Sequence, residues 1–527
     1  MGMKPVRYGL LGVLFLLLSF SAVAAEPEVT YEWLPEREGF RELIVTTPLA
    51  NYLFSEDGGT LRSVLLTFAP YGSKVEELVY GTTTDATTFA RRYTADAEFP
   101  FDLRGEGTEG TYALGEPEWT DLGGLVVTFT GELAGYSVVK RFSIEPDALY
   151  SMNVEVAVTP IVGVSGEEAA PELAMTVQKY IPQEKGRQLH YLFDGEPSLA
   201  LLASGSYFSF GGLGLMDGDV VFFVIPEEGT EVAPFSEATE SGSRRFGVKL
   251  DAREGTSSNR FTLYSGRRRF LLMEAVGIEA LDEPGVGARA MVLVIQFLDI
   301  LYRYTGNYGW AIILFTLMTR IILFPLMRKQ YHSIAKTQKI QPRLKRIQER
   351  YKDDRQLMQQ KTLEIYKKEG VNPMGGCLPM LIQLPIIFVI WRAMLYASEQ
   401  IHISPGFLWI PDLSVYDPYF ILVILTTLIM LVQQKFMSPM STGDAKGIQK
   451  YMGYFFPLMM GVLLWRFPAG LWLYYLLTTA AQVGQQAFVN WEMAKADGGM
   501  VAVPVGEDDL DVETEDSDGD EGASAGG

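Results

Sequence analysis

The sequence predicts a membrane protein of mixed α and β structure. We expect an N-terminal signal or first span, an exported β-sandwich domain, and a core of five transmembrane helices with a cytoplasmic helical hairpin. Three observations indicate this fold class: long apolar runs in the C-terminal half, short alternating segments with glycine turns before them, and positive charge gathered in one loop. At 527 residues the chain is also too long for one ordinary core.

Composition excludes several classes of function. The single cysteine excludes a disulfide framework and a cysteine-rich metal centre. With 64 acidic and 44 basic residues, the chain as a whole is no polyanion binder. The three histidines lie far apart, and the sequence has no H-E-x-x-H, P-loop or G-x-S-x-G motif. We therefore predict a protein that is not an enzyme and that needs no cofactor or metal.

Residues 1–25 form the first element. Lys4 and Arg7 precede an apolar run that ends in Ala22-Val23-Ala24-Ala25, the pattern of a cleavable secretory signal. The run of 18 residues just suffices to cross a bilayer, so an uncleaved first span is the alternative. In both cases we expect the segment that follows to be exported.

Residues 26–284 are predicted to form the exported β-sandwich domain. Met152, Val154, Val156 and Val158 alternate with more polar residues, which is the period of a half-buried strand. Other strand candidates and glycine turns recur along this stretch, as expected for a large sandwich. The strand candidates are 136–140 and 220–225, and the turns are Asp57-Gly58-Gly59, Gly123-Gly124 and Asp217-Gly218-Asp219.

Apolar runs in residues 306–491 predict the five-span core. Before it, residues 285–305 are apolar but interrupted by charge, so we expect an interfacial amphipathic helix there. The predicted spans are Gly309–Met327, Cys377–Ala397, Asp417–Val432, Tyr451–Trp465 and Ala469–Val489. Lysine and arginine are enriched in the loops that would face the cytoplasm, which also places the C-terminus there.

The loop 328–370 is predicted to be the cytoplasmic hairpin. It contains 13 basic and 5 acidic residues, and Ile340, Leu344, Ile347 and Tyr351 recur at helical spacing. Gln341-Pro342 predicts a helix start or a kink, and Gly370 a helix end. The loop either binds anionic lipid or ribosomal RNA or only sets topology. Beyond it, residues 492–527 predict an acidic, disordered cytoplasmic tail.

Arg320 is the strongest functional candidate. It is the twelfth of 19 residues in an otherwise apolar span, with Thr316 one turn before it. The cytoplasmic end near Arg328 is eight residues away, or about 12 Å, which is too far for snorkelling alone. A charge at that depth costs on the order of 2.5–3.5 kcal/mol, so we predict a wet cavity, with bilayer thinning as the alternative. Polar residues that could line the cavity are Gln383, Thr426, Thr427, Gln434, Thr478, Thr479 and Gln482.

The C-terminal half resembles the YidC/Oxa family of membrane protein insertases over residues 306–491. The most specific string is Val371-Asn372-Pro373-Met374-Gly375-Gly376-Cys377-Leu378-Pro379, followed by Gln383-Leu384-Pro385. Other strings similar to the family are Gly306-Asn307-Tyr308-Gly309-Trp310, Thr316 to Pro325, Leu408 to Ser414, Asp417-Pro418-Tyr419, and Phe467 to Tyr475.

The resemblance implies an insertase that integrates and folds membrane proteins through a hydrophilic groove. Arg320 would line the groove with Thr316 and, from the last span, Tyr475. Implied partners are nascent membrane proteins, the Sec translocon (SecYEG and SecDF), membrane lipids and, through the hairpin, the ribosome and the signal recognition particle receptor. The implied location is the bacterial inner membrane, with a periplasmic β domain. The acidic tail and the cleavable first segment depart from the family pattern.

Two other classes of function remain open on the residues alone. A transporter or channel could use the same polar cavity, although the spans show no inverted repeat. A membrane-anchored carbohydrate-binding or isomerase domain is the third reading of residues 26–284.

Overall fold

The structure is a computed structural model of the chain. It describes residues 28–70, 74–85, 91–94, 97–105, 108–161, 173–182, 186–199, 210–250, 256–370, 378–437 and 448–497. The predicted signal segment 1–25, the motif residues 371–377 and most of the predicted tail lie outside the described residues.

Period-two alternation produces the strands of the β domain, as predicted. Strand β14 (Ser151–Pro160) buries Met152, Val154, Val156 and Val158 and leaves the alternate residues partly or fully exposed. The candidates at 136–140 and 220–225 also lie in strands, and the three predicted glycine turns connect neighbouring elements. Gly58 needs its glycine, because its φ of 69° lies in the left-handed region.

Three larger sheets and one two-stranded sheet, all antiparallel, form this domain. The first sheet is a meander of β1 (Thr30–Arg37), β2 (Phe40–Thr46), β3 (Ala50–Ser55), β4 (Thr60–Leu66) and β5 (Glu76–Glu77). The two-stranded sheet pairs β6 (Thr82–Thr84) with β7 (Arg91–Tyr93).

The second sheet is the largest, with ten strands. Its order is β10 (Thr111–Leu114), β12 (Leu125–Leu133), β13 (Tyr136–Ile144), β14, β22 (Ser257–Arg267), β19 (Val220–Pro226), β18 (Phe210–Asp217), β16 (Arg187–Phe193) and β17 (Glu196–Ser198), and β11 (Glu118–Trp119) pairs with β12. The third sheet is ordered β20 (Val232–Ala238), β21 (Arg244–Leu250), β15 (Leu173–Tyr180), β8 (Leu103–Gly105) and β9 (Thr108–Glu109). All three larger sheets contribute buried side chains to one apolar core.

Helices follow the β domain. They are α1 (Phe270–Glu274), α2 (Val286–Thr305), α3 (Tyr308–Arg350), α4 (Arg355–Lys368), α5 (Leu378–Tyr396), α6 (Ser398–His402), α7 (Ile421–Met437), α8 (Ile448–Leu463) and α9 (Ala469–Asp497). The predicted helix at 285–305 is therefore present as α2. It buries Met291 and Ile295 and exposes Arg289, Gln296 and Arg303, so it is amphipathic.

Within the described residues, one helical stretch is long and apolar enough to cross a membrane. This stretch is Tyr308–Thr337, and the apolar parts of α5, α7 and α8 are shorter. A large β-rich domain followed by helices is thus the observed architecture.

Residues 328–370 contain the end of α3 and the whole of α4, and the first of these arms differs from the prediction in one respect. The span and the arm belong to one 43-residue helix, α3, which runs through Pro342, so no helix starts at that proline. Ile340 and Leu344 pack against Ile365 and Tyr366 of α4, as their spacing predicted. The α4 helix is capped by the Asp354 carboxylate, which accepts hydrogen bonds from Gln356 N and Leu357 N, both at 3.0 Å.

Contacts divide the chain into two compact units, whose boundaries divide the helices α3, α5, α7, α8 and α9. The first unit comprises Met1–Met318, Gln383–Leu428 and Leu458–Leu477. The second comprises Thr319–Ile382, Ile429–Pro457 and Thr478–Gly527. The predicted site residues are distributed over both units.

Candidate functional site

The two central candidates lie one turn apart on helix α3 and are both buried. Thr316 is fully buried, and its Oγ1 donates a hydrogen bond to the Ile312 carbonyl over 2.7 Å. Arg320 is 5 % exposed. A guanidinium with so little access to solvent must be stabilised by polar groups or by water held inside the protein.

In the second unit, α9 supplies polar groups beside Arg320. Gln485 Nε2 lies 3.4 Å from the Arg320 carbonyl oxygen and donates to it. Arg320 also interacts electrostatically with Tyr331, three turns further along α3. The α3 and α9 helices therefore meet along a partly polar seam.

Helix α7 adds a second polar contact to α9 in this unit. Gln433 Nε2 donates to Gln482 Oε1 over 2.9 Å. The predicted Gln434 is half-buried, as is Gln482, and Thr478 is fully buried. Arg320, Gln434, Thr478 and Gln482 thus share one unit, and Gln482 is joined to a neighbour that sequence reasoning missed.

Of the other predicted residues, Thr479 belongs to the second unit, and the first unit contains Thr316, Gln383, Thr426, Thr427 and Tyr475. Gln383 Nε2 on α5 lies 3.4 Å from the Tyr474 hydroxyl on α9. Tyr475 is half-buried, and its ring lies 6.3 Å from that of Trp472. The contact between α5 and α9 therefore involves Tyr474, the neighbour of the tyrosine that the family resemblance indicated.

Buried polar atoms accumulate on α3 and α9 in the second unit. Among the residues that the structure describes, these atoms have no hydrogen-bond partner: Gln330 Nε2 and Oε1, Tyr331 OH, Thr478 Oγ1, Gln485 Oε1, Gln486 Nε2 and Asn490 Oδ1. Protein interiors pair such atoms with protein or with ordered water. This group is consequently suited to hold water or to bind a polar chain.

Sequence reasoning missed Gln433, Gln485, Gln486 and Asn490. A signal for two of them, Gln486 and Asn490, was present, because Thr478, Gln482, Gln486 and Asn490 recur every fourth residue along α9. Gln433 gives no such signal, because only the packing of α7 distinguishes it from Gln434.

Charged groups also lie on the same two helices. Arg328 of α3 forms an ion pair with Glu492 of α9, and His332 Nε2 lies 3.7 Å from the same carboxylate. On the same two helices, the side chains of Met327, Tyr331, Ile334 and Val489 form an apolar cluster. Charged and apolar groups are therefore interspersed along this part of α3.

The opposite side of α3 is strongly apolar and open. Ile321 and Ile322 follow Arg320 directly, and each is 73 % exposed. Contiguous exposed aliphatic groups of this kind are suited to contact lipid. The helix thus presents a buried polar side and an exposed apolar side.

Comparisons with known proteins agree on the C-terminal half. The family model described as "60Kd inner membrane protein" matches residues 300–496. A protein of Wolinella succinogenes described as "Membrane protein insertase YidC" is 34 % identical over 390 residues, which cover 72 % of this chain and 69 % of the relative. A protein of Geobacter sulfurreducens with the same description is 30 % identical over 383 residues, covering 69 % and 70 % of the two chains.

A solved structure supports the fold over nearly the whole length. The structure entitled "Active YidC insertase crystal structure with the first transmembrane domain resolved" matches with a TM-score of 0.53 at 22 % identity. The match covers 93 % of this chain and 99 % of the other. At this identity the likeness concerns the fold.

Proposed function

The chain belongs to the YidC family of membrane protein insertases, and we propose that it inserts its substrates through a polar groove that contains Arg320. The observation that carries this proposal is the set of buried, unpartnered polar atoms on α3 and α9, found among the described residues of the second unit. Water held by these atoms would solvate the polar segment of a substrate inside the membrane.

We assign Arg320 the role of attracting the acidic residues of an extended exported segment. Its burial makes its charge effective, because the surroundings screen it less than water does. Thr316, Gln383, Gln434, Tyr475, Thr478 and Gln482 are proposed as the polar lining of the same groove. No nucleotide is needed, since burying an apolar helix in lipid yields about 25 cal/mol per Å².

The proposed topology has five spans formed by α3, α5, α7, α8 and α9. In this arrangement the β domain is periplasmic, α2 lies at the outer interface, and the hairpin and C-terminus are cytoplasmic. The exposed isoleucines beside Arg320 support contact of α3 with lipid. The matched family description places such proteins in the inner membrane.

We propose two sets of partners beyond the substrate and membrane lipids. The Sec translocon would deliver larger substrates to the groove. The basic hairpin of residues 328–370 would recruit the ribosome or the signal recognition particle receptor.

Insertion into pure-lipid vesicles tests this function. The purified protein is reconstituted, a short single-span substrate is synthesised beside it, and protease protection is compared with that in empty vesicles. Protection that depends on the protein is the expected result. If none appears, even after the translocon is added, the proposed function is wrong.

A further inference from the structure

The chain between α5 and α7, residues 397–420, is bound by the β domain within the first unit. We call this segment the connector. It begins directly after α5 and contains the short helix α6. Its most unusual residue is Glu399, whose carboxylate is fully buried.

Two arginines from the end of β22 approach Glu399. Its Oε1 lies 4.0 Å from Arg267 Nε and 3.6 Å from Arg269 Nε. Among the described residues, these three atoms have no hydrogen-bond partner, so their interaction is with one another. Burying charges without such partners would cost several kcal/mol each, roughly.

Arg267 is itself fixed inside the β domain. It is fully buried, and its Nη2 donates to the Lys74 carbonyl over 2.7 Å and to the Phe68 carbonyl over 3.5 Å. Asp219 holds Arg269 through a 2.7 Å hydrogen bond and lies 3.4 Å from Arg267. The two guanidinium groups are thus pre-positioned to receive the carboxylate.

The last residue of α5 is held by the same end of the β domain. The Tyr396 hydroxyl accepts a hydrogen bond from Phe270 N, and the Arg269 guanidinium lies 5.4 Å from the centre of its ring. One turn earlier on α5, Trp391 stacks on Phe467 at 5.2 Å. The end of α5 therefore has contacts on both sides.

The far end of α6 is fixed by a ring contact. Phe68 of the β domain stacks on His402 at 4.0 Å, and His402 Nδ1 lies 2.7 Å from Asp412 Oδ2. Ion pairing at Glu399 and stacking at His402 hold both ends of one short helix. The connector consequently cannot shift without breaking contacts to the β domain.

We propose that Glu399 is a positioning residue for insertion: held by Arg267 and Arg269, it fixes the connector and the end of α5 to the β domain. This inference rests on the proposed function, because α5 is one wall of the proposed groove. Burial raises the pKa of the Glu399 carboxyl, and Arg269 opposes this shift. The contact is therefore suited to fix a position more than to stabilise the fold.

Distances between two spin labels test the positioning directly. Labels are attached at Glu274→Cys in α1 and Val415→Cys in the connector, both exposed positions, with Cys377→Ser as background. Insertion of the single-span substrate is measured with the same proteins. We expect Glu399→Gln to broaden the distance distribution and to slow insertion about threefold or more, the range expected for coupling through packed elements.

A mutant cycle keeps this test independent of folding. Arg269→Gln should have the same two effects, and the double variant should be no worse than the slower single variant, because the two side chains act through each other. Glu237→Gln is the control, since it removes the partner of Arg245, 2.9 Å away, in the third sheet of the β domain. If Glu399→Gln fails to fold, the label distances and the insertion rate of Arg269→Gln test the positioning role instead.

The possible results of these experiments distinguish the positioning role from the proposed function. Unchanged insertion in the variants, or slowed insertion with an unchanged distance distribution, overturns the positioning role. An inactive parent protein would instead contradict the proposed function, and the label distances would still report whether Glu399 holds the connector.

Discussion

Gln433 of α7 and Gln482 of α9 are joined by a side-chain hydrogen bond of 2.9 Å, within the second unit. An amide in apolar surroundings needs such a partner, because leaving it unpaired costs about 1–3 kcal/mol. The pair therefore fixes the facing sides of the two helices. It also places two amides near the polar seam that contains Arg320.

Replacing this pair separates its structural from its functional role. We expect Gln482→Leu to lower thermal stability, because it leaves Gln433 unpaired. The double variant Gln433→Leu/Gln482→Leu should regain that stability but still insert substrates with polar exported segments more slowly, since the groove has become apolar. Thermal unfolding and protease protection measure the two effects.

The exposed Gln360→Leu on α4 is the control for added apolar surface. Full insertion activity in the double variant would show that Gln482 does not line the proposed groove.

Arg320→Ala tests whether the buried charge selects substrates. Insertion of substrates with acidic exported segments should slow more than that of neutral ones, by roughly fivefold for each 1 kcal/mol of lost attraction. Arg320→Lys keeps the charge and should retain most of this preference. Protease protection with paired substrates provides the measurement, and equal slowing of both substrates would contradict the role.

Asp417 explains structurally why an aspartate precedes α7. The fully buried carboxylate accepts hydrogen bonds from Trp409 Nε1 at 3.1 Å and from Leu422 N at 2.7 Å, and so caps the helix start. Asp417→Ala should destabilise the protein by about 2–4 kcal/mol, because it leaves these buried donors unpaired.

Thermal unfolding in detergent measures the effect of Asp417→Ala. Asp417→Asn, which keeps one acceptor oxygen, should lose less stability. An alanine variant as stable as the parent would show that the cap is dispensable.

Lys140 makes the stability of the β domain depend on pH. Its fully buried Nζ donates to the carbonyls of Gly58 and Phe101, each over 2.7 Å. Burial lowers the pKa of Lys140 from 10.5 to about 7. Between these values the unfolded chain binds a proton that the folded chain does not, so stability should rise with pH by at most about 1.4 kcal/mol per unit. This contribution is lost as the pH falls to 7 and is constant below it.

Unfolding curves at pH 7, 8 and 9 measure this slope. Lys140→Met should abolish the contribution, whereas Lys74→Met, at an exposed position, should keep it. A slope that is identical in the Lys140 variant and the parent would contradict the assignment.

Much of the architecture could be predicted from local patterns. Apolar side chains avoid water, and their spacing is visible in the sequence. This spacing predicts the period of two in β14 and the stripe of Ile340 and Leu344. Arg320 was identified for the same reason, since a charge within an apolar run is visible without any tertiary contact.

Contacts between distant residues could not be predicted in this way. In the sequence, Glu399 is an ordinary acidic residue in a loop. Its partners Arg267 and Arg269 lie more than a hundred positions earlier, so only the structure shows the contact. Two other findings likewise depend on packing. Helix α3 continues through Pro342, and Gln433, not Gln434, bonds to Gln482.

The sequence by itself thus determined the order and character of the elements, because periodicity and solvation act over a few neighbouring residues. Only the tertiary structure decided which polar groups meet. That outcome depends on how helices and sheets pack against one another, and one turn of a helix changes which side chain faces a partner.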